Sequence, residues 1–92
     1  LLQQQVSELL SERERIQAEL KPLPLTLKTE SDTNFLLYQC DNSVGLVTAL
    51  AYNGLLIRDQ SAQPGLENVV RISVGIRSEN DELISQLRKY YL

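Results

Sequence analysis

The pattern of apolar positions predicts a small α/β (α+β) domain. It has a mixed sheet of three to four strands with helices on one face, in the order α-(β)-β-α-β-β-α. Three observations carry this. Residues 1–20 place apolar or aliphatic-stemmed side chains at Leu2, Val6, Leu9, Arg13, Ile16 and Leu20, a 4-3-4-3-4 spacing that one helix face satisfies. Three short runs, "NFLLYQC", "LLIRD" and "VVRISV", are apolar and rich in strand-forming residues. A helical stretch separates the runs at 34–40 and 55–59, so those strands should run parallel, with 69–75 antiparallel between them.

The first helix carries its charge in "SERERIQAEL", opposite the apolar stripe. It is too short for three clean heptads and has Arg13 in the seam, so it should pack on its own domain rather than form a coiled coil. It begins at residue 1 with neither Met nor a capping residue, which suggests a piece of a longer chain. Pro22 and Pro24 end it. "LTLKT" at 25–29 reads as a short edge strand and "ESDT" at 30–33 as a turn. The near-continuous apolar run of "NFLLYQC" predicts burial on both faces.

Asn42 or Ser43 caps the next helix, which "NG" at 53–54 stops, with Gly54 left-handed. Pro64-Gly65 suits the centre of a type II turn in the polar loop "QSAQPGLEN". In the last helix, Ser78 and Asp81 approximate a capping box, Glu79 and Glu82 suit the positive end of the dipole, and Arg88 and Lys89 suit the other. Leu83, Ile84, Leu87 and Tyr91 form its inner face.

Composition narrows the function. The net charge is −3 and 5% of residues are aromatic, which argues against a nucleic-acid partner. No apolar run approaches the ~20 residues that cross a bilayer. With no histidine and the single Cys40, the chain holds no Cys/His zinc site, internal disulfide or His-dependent triad. Cys40 itself reads as a small apolar side chain at a strand end. The four glycines are scattered, so there is no phosphate loop, and Lys21, Lys28 and Lys89 do not look buried. No catalytic and no metal-binding residue is assigned.

Two arginines remain. In 69–75, Val70, Ile72 and Val74 point to one face, and Val69, Arg71, Ser73 and Gly75 to the other. Arg58 ends the preceding strand across the hairpin. A guanidinium fork binds carboxylates and phosphates bidentately, so Arg71 and Arg58 are the candidate anion-binding residues. The plainer alternative is an ion pair inside the domain, with Asp59, Glu67 or Glu79.

Residues 31–87, through "SDTNFLLYQC" and "NGLLIRDQSAQPGLENVVRISVGIRSENDELISQL", resemble the C-terminal small domain of histidinol-phosphate aminotransferase. The "RDQ…QPGL…RISVG" combination is the specific part, since it sets two arginines, the turn and the glycine after the strand together. The resemblance implies a fold-type I enzyme using pyridoxal 5′-phosphate, a cytoplasmic homodimer of histidine biosynthesis. It would exchange an amino group between L-histidinol phosphate and glutamate/2-oxoglutarate. It also implies that the cofactor and its lysine belong to a large domain missing here, so that this piece alone is inactive. Residues 1–22 would be a helix continuing from that domain and 23–92 the small domain. Arg71 matches the family's anion-binding arginine, for glutamate's α-carboxylate or the substrate phosphate. Arg58 matches a second, for the phosphate or glutamate's distal carboxylate, and Asn34 a position at the strand start. Ile76 departs from the pattern, standing where the family usually has a small hydroxyl residue. Two rivals stay open: another fold-type I aminotransferase or decarboxylase, and a free-standing anion-binding regulatory module.

Overall fold

The computed structural model describes residues 2–28 and 34–92, with side chains from residue 7 onward in the first helix. The elements follow the expected order. They are α1 (Leu2–Leu20), β1 (Thr26–Leu27), β2 (Phe35–Gln39), α2 (Ser43–Tyr52), β3 (Arg58–Asp59), β4 (Val69–Ser73) and α3 (Arg77–Tyr91). The turn expected at 30–33 lies outside the described residues.

The strands form one sheet in the order β1-β2-β4-β3. β4 is antiparallel to both β2 and β3, so those two run in the same direction, as the crossover helix requires. The sheet is nevertheless not mixed. The returning strand β4 inserts between the two like-directed strands, so each bonded pair is antiparallel and no parallel ladder forms.

Alternation then decides the core. Leu36 and Tyr38 of β2, Val70 and Ile72 of β4, and Val74 just beyond point to one face. There they meet Ile16 and Leu20 of α1, Leu46 and Leu50 of α2, and Leu83, Ile84 and Leu87 of α3 in a single cluster. Each fully buried aliphatic side chain is worth about 1.5–3 kcal/mol of transfer free energy. All three helices thus cover the same face.

Burial of β2 on both faces does not occur. Phe35 and Leu37 are half-buried and Gln39 is exposed, because no helix covers their side. Cys40 is buried just past β2, where its thiol donates to the Asn68 carbonyl at 3.4 Å and burial pushes its pKa up.

The caps set the element ends. Asn42 Oδ1 accepts from the Gly45 amide at 3.0 Å and starts α2. A Cβ at Gly45 would lie 2.6 Å from Nδ2 of Asn42, the free end of an exposed side chain, which would have to shift to admit it. At the other end Gly54 has φ +83°, where an L side chain is strained. Gly65 has φ +80° and the Leu66 amide donates to the Gln63 carbonyl, as a type II turn on Pro64-Gly65 requires.

α3 begins earlier than the Ser78–Asp81 capping box supposes. Ile76 is the N-cap, and Glu79 Oε1 accepts from its amide at 3.0 Å. Only the carboxylate arm of the box exists, since an isoleucine has no acceptor to return.

α1 is tied to α3 by charge as well as by the core. Arg15 bridges Glu12 at 2.7 Å and Asp81 at 2.8 Å, and Arg88 reaches Glu19 at 2.6 Å. Arg13 lends its stem to the apolar stripe and is 6% exposed, yet its buried Nε and Nη2 have no hydrogen-bond partner among the described residues. No helix among the described residues is long and apolar enough to cross a membrane.

Candidate anion-binding site

The sheet face away from the helices carries both arginines. Arg58 and Arg71 are directly opposite each other in the β3–β4 register, so their side chains leave the same face of neighbouring strands. The strand period explains this: Ile57 and Val70 are buried on the helix side, and the next residue in each case faces out. Arg58 is exposed and Arg71 half-buried.

Among the described residues neither guanidinium has a carboxylate within ion-pair distance. The acids considered as internal partners are engaged elsewhere or not near. Asp59 accepts from the Ser61 amide at 3.0 Å and hydroxyl at 2.6 Å, which holds its pKa below the usual range. Glu79 accepts from Ile76, and Glu67 is exposed. Two like charges facing each other across a ladder repel, and that cost falls when an anion sits between them.

Three surroundings shape this face. The Arg71 guanidinium carbon lies over the Phe35 ring, 4.6 Å from its centroid. Ser73 is exposed beyond it. Val69, expected to share this open, small and polar side, is only 1% exposed. It lies where the 60–68 loop rejoins the sheet, its amide donating to the Leu66 carbonyl and its carbonyl accepting from the Gln60 amide. That loop does more than connect. Ser61, Ser43 and Asn68 hydrogen-bond one another, tying the end of β3 to the start of α2, with Asn68 at φ 58°.

The end of β4 is held by a residue the sequence pattern did not single out. Asn80, 1% exposed, accepts from the Gly75 amide at 2.9 Å and donates to the Gly75 carbonyl at 2.8 Å. Its Nδ2 also donates to Glu12 Oε1 at 3.1 Å. Arg15, then Asn80, stabilise the Glu12 carboxylate and lower its pKa to about 2. Asn80 lies on the inner stripe with Leu83, Ile84 and Leu87, and a polar residue at such a position was the available signal. Asn34 contributes a backbone bond, its carbonyl accepting from Val74 at 2.7 Å.

The described residues do not fit a pyridoxal-phosphate holder. Lys21, Lys28 and Lys89 are exposed and none lies on β3 or β4. What the face offers is cationic forks for a small anion.

An antiparallel sheet in this order, backed by three helices, is an architecture that solved aminotransferases share. The structure matches histidinol-phosphate aminotransferase of Clostridium acetobutylicum with a TM-score of 0.80 and 22% identity, over 88% of this chain and 25% of that one. It matches L-threonine-O-3-phosphate decarboxylase of Porphyromonas gingivalis with a TM-score of 0.74 and 26% identity, over 86% and 25%.

In sequence the chain is 64% identical over 90 residues to histidinol-phosphate aminotransferase 2 of Idiomarina loihiensis, covering 98% of this chain and 25% of the relative. It is 43% identical over 84 residues to the Chlorobaculum tepidum histidinol-phosphate aminotransferase, covering 91% and 24%. No family model matches. The chain is therefore similar to a segment of the histidinol-phosphate aminotransferases, and it spans about a quarter of the length of the curated relatives it matches.

Proposed function

We propose that this segment supplies the substrate-anion grip of a histidinol-phosphate aminotransferase, with Arg71 and Arg58 as its substrate-binding residues. The carrying observation is the register that sets the two guanidinium groups opposite each other on the open face, without a carboxylate partner among the described residues. In this reading Arg71 takes glutamate's α-carboxylate in one half-reaction and the phosphate of L-histidinol phosphate in the other. Arg58 takes the phosphate or glutamate's distal carboxylate. The segment binds and orients, and orientation of a reactant can be worth ~7 kcal/mol or more of barrier.

The remainder of the reading follows from the family. Pyridoxal 5′-phosphate and its lysine belong to a large domain outside this segment, with residues 1–22 leading from it and 23–92 forming the C-terminal small domain. The full protein acts as a cytoplasmic homodimer in histidine biosynthesis, with no nucleic-acid or membrane partner. The segment alone forms no imidazole acetol phosphate.

The test uses the full-length protein. Arg71→Ala should lower kcat/KM for both amino donors by about 100-fold or more, the scale of a lost charge-assisted contact, while cofactor absorbance stays near normal. Loss of cofactor, or unchanged kinetics, would overturn the assignment. The likeness to the Porphyromonas decarboxylase favours one second reading, a decarboxylase of a phosphorylated amino acid. Carbon dioxide release, measured against amino transfer with the same phosphorylated substrates, separates the two.

A further inference from the structure

Phe35 has no reactive group, yet it is the one described ring that an arginine lies over. In the β2–β4 register Arg71 stands opposite Leu37, and Phe35 stands opposite Ser73. Phe35 is therefore a diagonal neighbour of Arg71 on the open face, within reach of a long side chain. Gln39, opposite Val69, is the other diagonal. Arg71 extends towards the ring, and so towards the start of β2.

We propose that Phe35 is a positioning residue for Arg71, holding the guanidinium by its ring face so that the N–H donors stay available to a substrate anion. The inference rests on reading Arg71 as the anion-binding group. The physical choice is between two ways of steadying a cation. A carboxylate neighbour would fix the guanidinium by occupying the same fork that a substrate carboxylate or phosphate needs. An aromatic face attracts the cation through its quadrupole and accepts no conventional hydrogen bond, so it restricts the side chain without consuming a donor. The half-buried setting of both residues strengthens that attraction over its value in open water. Arg58, exposed on β3, has no such anchor among the described residues.

The experiment is a double-mutant cycle in the full-length enzyme, reading KM and kcat for glutamate with the unfolding midpoint as a control for folding. Phe35→Leu keeps apolar bulk and removes the quadrupole; Phe35→Met replaces it should the first variant not fold. Either should raise KM about 3- to 10-fold, the scale of a cation–π contact, with a smaller change in kcat. Phe35→Tyr should restore KM to within about 2-fold, since the ring face is retained. In an Arg71→Ala background, Phe35→Leu should add nothing further.

Equal losses from Phe35→Leu in both backgrounds, failure of Phe35→Tyr to rescue, or an unchanged KM would each overturn the inference and leave the role of Arg71 intact. An Arg71→Ala enzyme with normal KM and kcat would overturn the reading of the site itself.

Discussion

Replacing Asn80 with alanine should open the corner where β4 hands over to α3. The amide removes three hydrogen bonds when it goes: one to the Glu12 carboxylate at 3.1 Å and two to Gly75, at 2.8 and 2.9 Å. The neutral pair is worth roughly 1 kcal/mol each and the bond to a charged acceptor roughly 1.5 kcal/mol. Alanine's better helix propensity returns about 0.5 kcal/mol, and half-exposed Gly75 regains some water. The net loss should be about 2–3 kcal/mol. Urea unfolding measures it as a lower midpoint at constant m-value.

A companion Asn80→Asp keeps the acceptor for the Gly75 amide but sets an oxygen against the Glu12 carboxylate. Its deficit at pH 7 should match or exceed that of the alanine variant and shrink as acidification protonates one carboxyl. A loss under about 1 kcal/mol for Asn80→Ala would show that water replaces the tether without cost, and the reasoning would fail.

Three further outcomes follow from the same contacts. Glu12 is lowered from 4.5 to about 2, so its contribution is complete above pH 4.5 and disappears as pH falls towards 2. Acid titration of stability should show up to about 3 kcal/mol lost across that window, and Glu12→Gln should flatten it. Ile76→Thr gives α3 the missing acceptor at an N-cap already extended at φ −74° and ψ 165°, and should stabilise the chain by about 0.5–1 kcal/mol in the same urea assay. Arg13→Met removes two buried donors that are unbonded among the described residues and keeps the apolar stem, so it should raise stability by about 1–3 kcal/mol; a loss would mean the guanidinium has a partner.

The sequence was most legible where one backbone period or one special residue decides the outcome. The stripe through Leu9, Ile16 and Leu20, the Asn42 cap, the left-handed Gly54 and the Pro64-Gly65 turn need only local sterics and hydrogen bonding. So does the outward side of Arg71, since strand alternation is local. β2 misled because an apolar run reports what could be buried, and Phe35 and Leu37 remain half-buried when no layer covers them. Strand placement was legible as well: the crossover sets β2 and β3 in one direction, and the antiparallel strand expected between them lies there, so every bonded pair is antiparallel.

By itself the sequence determined the elements, their order and the direction of the strands, and it singled out Arg58 and Arg71, because propensity, period and charge are properties of neighbours along the chain. Only the tertiary structure decided that these two arginines stand in register, that Phe35 lies beneath one of them, and that Glu12 reaches Asn80 across 68 positions. Those outcomes depend on how helices and strands pack in space, where contacts between distant residues compete for the same few donors, acceptors and faces.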